Sequence, residues 1–321
     1  MLGAARDARA ATTYQVIDLG SLGNRTSNAV AINRFGQVTG TSRLAAGGYD
    51  AYLWQSGTMT DIGSDTTYAY GMNDAGWVVG VHALSGGQYR GFVYNGSGVR
   101  HIPTLGGLQS SALAINDWGQ VFGASTTAGG AAHAILWQHG TLKDLGMLAG
   151  DPDSKAVSSG TAGVAVGSSW GGSSNERAVV FDSRGVTALP SPAGAVNPSA
   201  TAINRNGTVV GWYQTTGDEQ PVLWDASGAH PLLPAGQYGQ ALAINGFGKV
   251  GTTVVVVPSQ NRSTTHAALF GDGRAIDLQK RIPADSGWRL RSADGINDQG
   301  MIVGYGLHNG VGRGFLLVPV S

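Results

Sequence analysis

Ala200-Thr201-Ala202-Ile203-Asn204-Arg205-Asn206-Gly207-Thr208-Val209-Val210-Gly211 is the stretch on which the fold turns, because it recurs along the chain. Written as Ala-x-small-Ile-Asn-x-x-Gly-x-Val-Val-Gly, the block places its asparagine at Asn33, Asn73, Asn116, Asn204, Asn245 and Asn297. A degenerate seventh copy, Ala156-Val157-Ser158 to Gly163 and Gly167, carries Gly160 in the asparagine position. Spacings of 40, 43 and 41 residues match a four-stranded propeller blade. Asn-x-x-Gly between two apolar runs predicts a hairpin in which Asn opens a type I turn and Gly takes the left-handed position. Ahead of the turn, period-two alternation predicts a strand. Ala29 with Ala31, Ala112 with Ala114 and Ala241 with Ala243 share one expected face, as suits an innermost strand where blades crowd together.

The second half of each unit begins with a strand that opens on a polar residue and closes on a large apolar one. Asp50 to Trp54, Arg90 to Tyr94, His133 to Trp137, Arg177 to Phe181, Gln220 to Trp224, His266 to Phe270 and Arg313 to Leu317 are its copies. A further strand ends in Asp61-Ile62-Gly63, Thr104-Leu105-Gly106 or Asp144-Leu145-Gly146. Each unit therefore has four strands. The last stops after its third, whereas Tyr14 to Gly20 carries the fourth-strand signature with no unit before it. Pairing the two removes both free edges. The expected fold is all-β: a seven-bladed β-propeller of four-stranded antiparallel blades, with the N-terminal strand completing the last blade. Residues 1–13 form an expected disordered or trimmed-signal remnant, and 14–321 the single domain.

Composition agrees. Glycine supplies 52 of 321 residues, against a usual share of about 7%, which favours short strands and tight turns. Twenty basic residues balance twenty acidic ones with no long run of either sign, so no footprint for nucleic acid is present. The absence of cysteine removes disulfides, thiol nucleophiles and cysteine-ligated metals. No apolar run reaches the roughly 18 residues of a membrane span. Neither a cofactor nor a metal is expected, and the expected state is a monomer.

The His-Ala-hydrophobic strands at His133-Ala134-Ile135 and His266-Ala267-Ala268, with the Asn-x-x-Gly-x-Val-Val-Gly block, resemble the extracellular HAF repeat family over roughly residues 14 to 320. Blade four departs from the pattern by lacking the asparagine, and blade six by a shortened Gly248-Lys249-Val250-Gly251. The resemblance implies a secreted, extracellular or periplasmic protein with a propeller-like array, and it carries no catalytic residues.

Residues the repeat does not require are the candidates for function. Trp170, Trp212, Tyr49, Tyr89, Trp288 and Tyr305 fall at or near the face carrying the loops between second and third strands. Arg90, Arg177 and Arg313 open third strands toward that face. Together these nine suit a carbohydrate or a surface protein. The competing role of the polar ring is structural, since His133 with Asp144, His266 with Asp277, and Arg313 with Asp18 fall as cross-strand neighbours. Phe35, Trp118 and Phe247 occupy turns of the opposite face, with packing between blades as the alternative to exposure. Gly167-Ser168-Ser169-Trp170-Gly171 fits a nucleophile-elbow string, but it lies at the end of a strand rather than in a strand-to-helix turn. Asp151-Pro152-Asp153 lacks the ligand count of a calcium loop. The sequons at Asn24, Asn95, Asn206 and Asn261 arise readily in turns rich in Asn, Gly and Ser. The function expected is a non-catalytic binding module; the alternative is a hydrolase or lyase with its site at the mouth of the central channel.

Overall fold

The computed structural model describes residues 12–63, 66–172, 176–215, 218–234, 237–255, 265–271 and 273–320, with the side chains of 253–255 outside the description. Residues 1–11 and Asn261 lie outside the described residues. Twenty-eight strands form seven sheets of four, each antiparallel, with no α-helix among the described residues. Blades 1 to 6 occupy residues 27–61, 67–101, 106–146, 153–188, 196–231 and 238–277, each in simple sequence order from axis to rim. Blade 7 takes three strands from 288–320 and its outermost from Thr13–Asp18. That strand runs in unbroken register from Thr13 opposite Val320 to Asp18 opposite Phe315, starting one residue earlier than the expected domain edge. The ring is closed as the orphan N-terminal strand predicts.

Two glycine positions show why the block reads as it does. The turn glycines, such as Gly36 at φ 76° and Gly207 at φ 81°, adopt the left-handed conformation. The glycine closing the block has ordinary φ but no room for a side chain. A Cβ on Gly40, Gly123, Gly167, Gly211 or Gly304 would lie 1.9–2.0 Å from a carbonyl oxygen of the inner strand.

That close approach comes with a β-bulge. In all seven blades the pairing of first and second strands slips at the third residue before the asparagine position: at Val30, Tyr70, Leu113, Val157, Thr201, Leu242 and Asp294. The slip corrects the expected alternation. Ala29 stands opposite Gly40 and Ala31 opposite Thr39, consecutive residues, so the two alanines lie on different faces. The first of each pair is buried in every blade: Ala29, Ala69, Ala112, Ala156, Ala200, Ala241 and Ala293. A bulge inserts one residue and re-aims its side chain. Here it points seven residues, one per blade, into the axial channel.

The blades are tied to one another by polar side chains. Each asparagine accepts from backbone N–H groups of its own turn; Asn73 Oδ1 accepts from Trp77 N at 3.0 Å. Its amide then donates to the carbonyl of the next blade's asparagine. Asn33 to Asn73, Asn73 to Asn116, Asn204 to Asn245, Asn245 to Asn297 and Asn297 to Asn33 make these bonds at 3.0–3.2 Å. The ring passes through the junction of blades 7 and 1 without interruption. Its gap is blade 4, where Gly160 has no amide and Asn116 Nδ2 turns to Gln120 Oε1 at 2.9 Å.

A second tie sits six residues before the asparagine position. Ser27 Oγ donates to Gly20 O at 2.6 Å and accepts from Gly314 N at 3.1 Å, joining blade 1 to blade 7. Ser110 and Ser154 repeat the arrangement on Ile102 O with Gly91 N, and on Gly146 O with Ala134 N. The Asp-x-Gly ends of outer strands are Asx turns: Asp18, Asp61 and Asp144 accept from Gly20, Gly63 and Gly146 N at 2.8–3.0 Å.

Candidate functional site

Strand direction sets the two faces. Asparagine turns and the hairpins between third and fourth strands lie on one; the loops between second and third strands, and the links into each new blade, lie on the other. On the second face, where blades 7, 1 and 2 meet, a groove of about 330 Å³ is walled by Tyr49, Tyr68, Tyr70 and Tyr305, with Asn28 and Thr41 among its polar groups. Tyr49 and Tyr68 stack at 5.9 Å between ring centroids. Tyr49 and Tyr70 are 39% and 45% exposed, and Tyr89 is 41% exposed, large values for aromatic rings in a chain with this much core. Burial, reinforced by Tyr68 and Tyr89, pushes the Tyr70 hydroxyl above the usual phenol range, so it is neutral near pH 7. The groove thus presents ring faces beside hydroxyl and amide groups.

The other nominated residues are dispersed. Trp170 lies in a separate cavity of about 360 Å³ in blade 4, with Lys155 Nζ 5.5 Å above its ring and Glu176 and Asn197 in the wall. Trp212 sits inside a strand, opposite Ser199 and Pro221, rather than at a loop. Trp288 belongs to the core: 5% exposed, it stacks on His308 at 4.7 Å and meets Phe315 edge-on. Its position at the start of an inner strand hid this, since the strand extends the core of blade 7 outward to meet it.

The polar residues opening third strands mostly tie their blades to neighbouring chain. Arg90 Nη2 donates to Leu108 O at 3.4 Å, Gln220 Nε2 to Gln237 O at 2.9 Å, and Arg313 Nη1 to Ser21 Oγ at 2.9 Å. Arg177 is paired with Asp151, which also accepts from Ser169 Oγ at 2.6 Å. Asp151 is therefore an internal anchor, and the Ser169 hydroxyl is buried against it. His133 meets Asp144 at 2.7 Å as the hairpin spacing predicts, and Arg313 Nε lies 3.9 Å from Asp18. Asp18 has a closer partner that the spacing did not reveal, His308 at 2.7 Å. The expected His266–Asp277 pair does not form: His266 Nδ1 is buried without a hydrogen-bond partner, and Asp277 accepts from Gln279 N.

The opposite mouth of the channel is a cavity of about 420 Å³ ringed by the asparagine turns. Phe35, Trp118 and Phe247 stand around it at 64%, 56% and 70% exposure, so they do not pack between blades. Asp74 and Asp298 pair there with Arg34 and Arg205 at 3.4 and 2.8 Å. Burial, and the charge of Asp117, hold the Asp74 carboxyl above the usual range. Among the described residues no group of three or more His, Cys, Asp or Glu side chains is arranged to hold a metal ion, and no helix is long and apolar enough to cross a membrane.

No family model matches the chain, and no curated protein matches it. Solved structures do. Puromycin hydrolase matches with a TM-score of 0.58 at 13% identity over 94% of this chain, which spans 55% of that protein. YCF48 bound to D1 peptide matches at 0.56 and 13% identity over 98% of this chain and 97% of the other. The β-propeller domain of the Trilobed protease from Pyrococcus furiosus matches at 0.57 and 10% identity, covering 78% and 80%. At these identities the likeness is one of fold, and the fold is the propeller that the repeats describe.

Proposed function

We propose that this chain is an exported, non-catalytic binding module that takes carbohydrate through the tyrosine groove where blades 7, 1 and 2 meet. The observation that carries the reading is the convergence of Tyr49, Tyr68, Tyr70 and Tyr305 on one open groove beside Asn28 and Thr41. Sugar rings offer C–H faces and hydroxyl edges together, and a wall of aromatic faces with interleaved hydroxyl and amide groups complements both. A deep apolar pocket would not. Tyrosine hydroxyls suit this role because they donate and accept hydrogen bonds without demanding a charged ligand. The resemblance to HAF repeats supports export. A propeller of the same extent, YCF48, is known bound to a peptide, which makes a surface protein the alternative ligand.

A glycan array probed with wild type and with Tyr49→Ala, Tyr68→Ala and Trp170→Ala variants tests the reading. Retention of glycans by wild type and by Trp170→Ala, with about tenfold weaker retention by the tyrosine variants, is the expected result. No retained glycan, or retention indifferent to Tyr49 and Tyr68, overturns it.

A further inference from the structure

The seven bulges converge on the channel, which shares Val30 and Tyr70 with the groove but otherwise has a lining of its own. Val30, Tyr70, Leu113, Val157, Thr201, Leu242 and Asp294 stand at equivalent positions and line a channel segment of about 420 Å³. Five of the seven are aliphatic or threonine, one is aromatic, and one is a carboxylic acid. A carboxylate is a costly choice in such a wall, because an ion leaves water for a poorly polarisable surround. Burial pushes the Asp294 carboxyl up to about 6, against the hydrogen bonds from Ser292 Oγ, at 2.6 Å, and Tyr305 N, which lower it. It is therefore largely ionised at neutral pH. Asp117, toward the asparagine turns, is the other charged residue among those lining the segment, and it too is acidic. Both nearby mouth arginines, Arg34 and Arg205, are engaged by Asp74 and Asp298.

We infer that this waist of the channel binds a small organic amine in its protonated form, the ammonium group pairing with Asp294 and the apolar body lying against Tyr70 and the aliphatic bulge residues. The alternatives fail on the same wall. An anion finds no cation there, and a bare divalent cation finds too few oxygen ligands to replace its water shell. A neutral apolar molecule would leave the carboxylate without a counter-charge. An ammonium with a hydrocarbon body satisfies the carboxylate, and a cation near the Tyr70 ring gains from the ring face as well. The volume is within the range of small-ligand cavities.

Calorimetric titration at about pH 7.5 with benzylamine and its neutral analogue benzyl alcohol tests the assignment. Wild type is expected to bind benzylamine saturably, and both benzyl alcohol on wild type and benzylamine on Asp294→Asn to bind about ten- to a hundredfold more weakly, the scale of a lost charge-assisted hydrogen bond. Val157→Phe, which fills the waist from three blades away and leaves Asp294 in place, is expected to abolish binding while retaining the wild-type circular dichroism spectrum. Saturable binding that is as tight in Asp294→Asn or Val157→Phe as in wild type, benzyl alcohol binding as tight as benzylamine, or no saturable binding of benzylamine to wild type each overturns it. Neither Asp294 nor Val157 lines the tyrosine groove, so failure here leaves the carbohydrate reading standing, and failure of the glycan array leaves this one.

Discussion

Gly160→Asn should make the protein more stable, because it supplies the residue missing from an otherwise repeated ring. In five of the other six turns the asparagine amide donates to the next blade's backbone, and the side-chain oxygen accepts from backbone N–H groups of its own turn, as at Asn204 with Asn206 N and Thr208 N at 3.0 Å. At Gly160 the frame is already set: Gly160 N donates to Val164 O at 3.1 Å, as Asn204 N does to Thr208 O. A Cβ there would lie 3.3 Å from Asn204 O, the carbonyl that its amide should reach, and 3.4 Å from Ile203, contacts a small shift relieves. One to three hydrogen bonds at about 0.5–1.5 kcal/mol each, added to about 0.5 kcal/mol from a less flexible unfolded chain and reduced by the shift, give a net gain of about 1–2 kcal/mol. For a domain of this size that is about 1.5–3 °C in melting temperature by scanning calorimetry. A Gly160→Ala control separates the amide from the lost flexibility, and should gain less than half as much. Equal melting temperatures for the two variants, or a lower one for Gly160→Asn than for wild type, would refute the idea that the asparagine ring holds blades together.

Removing residues 1–20 deletes the strand that closes the ring together with Leu19; Tyr14 and Leu19, both buried, make the loss at least about 4 kcal/mol, and an unchanged denaturant midpoint would contradict the closure. Gly211→Ala sets a methyl 2.0 Å from Ser199 O and should cost about 3 kcal/mol, against about 1 kcal/mol for Gly207→Ala in its left-handed turn; chemical denaturation that ranks them the other way would refute the close-approach argument. Asp294 binds its proton more tightly folded than unfolded, so its contribution to stability is present below about pH 4 and lost as pH rises through about 6. Asp294→Asn removes that loss, and its stability relative to wild type should rise by at most about 3 kcal/mol between pH 4 and pH 7; a difference that does not change with pH means the carboxyl is not desolvated.

The parts of this fold that were legible in the sequence are those where one residue type has one physical use. The turn glycines, the asparagine before them and the orphan strand at Tyr14 each admit a single reading, and together they count the blades and close them. The bulge was illegible for the opposite reason. A residue inserted at the same place in all seven copies leaves the period of the repeat untouched, so Ala29-Val30-Ala31 reads as plain alternation although its outer members lie on different faces. Once the bulge is known, the strings become informative: the residue between the two small ones is the channel residue, and there the sequence changes from valine or leucine to Tyr70, Thr201 and Asp294. The hydroxyl tie at Ser27, Thr67, Ser110 and Ser154 was likewise open to view, but its partners lie in the preceding blade and spacing within one unit could not show them. Candidate ligand residues were harder still, because an aromatic ring near a strand end serves equally well as core or surface. Trp288 and Tyr49 each begin a strand, and only the neighbours decide between them: His308 and Phe315 cover the first, while the second stacks on Tyr68 at the rim of an open groove. What the repeat does reveal is where scaffold ends, since a position that is aliphatic in most blades and acidic in one has been released from packing and is free to serve a ligand.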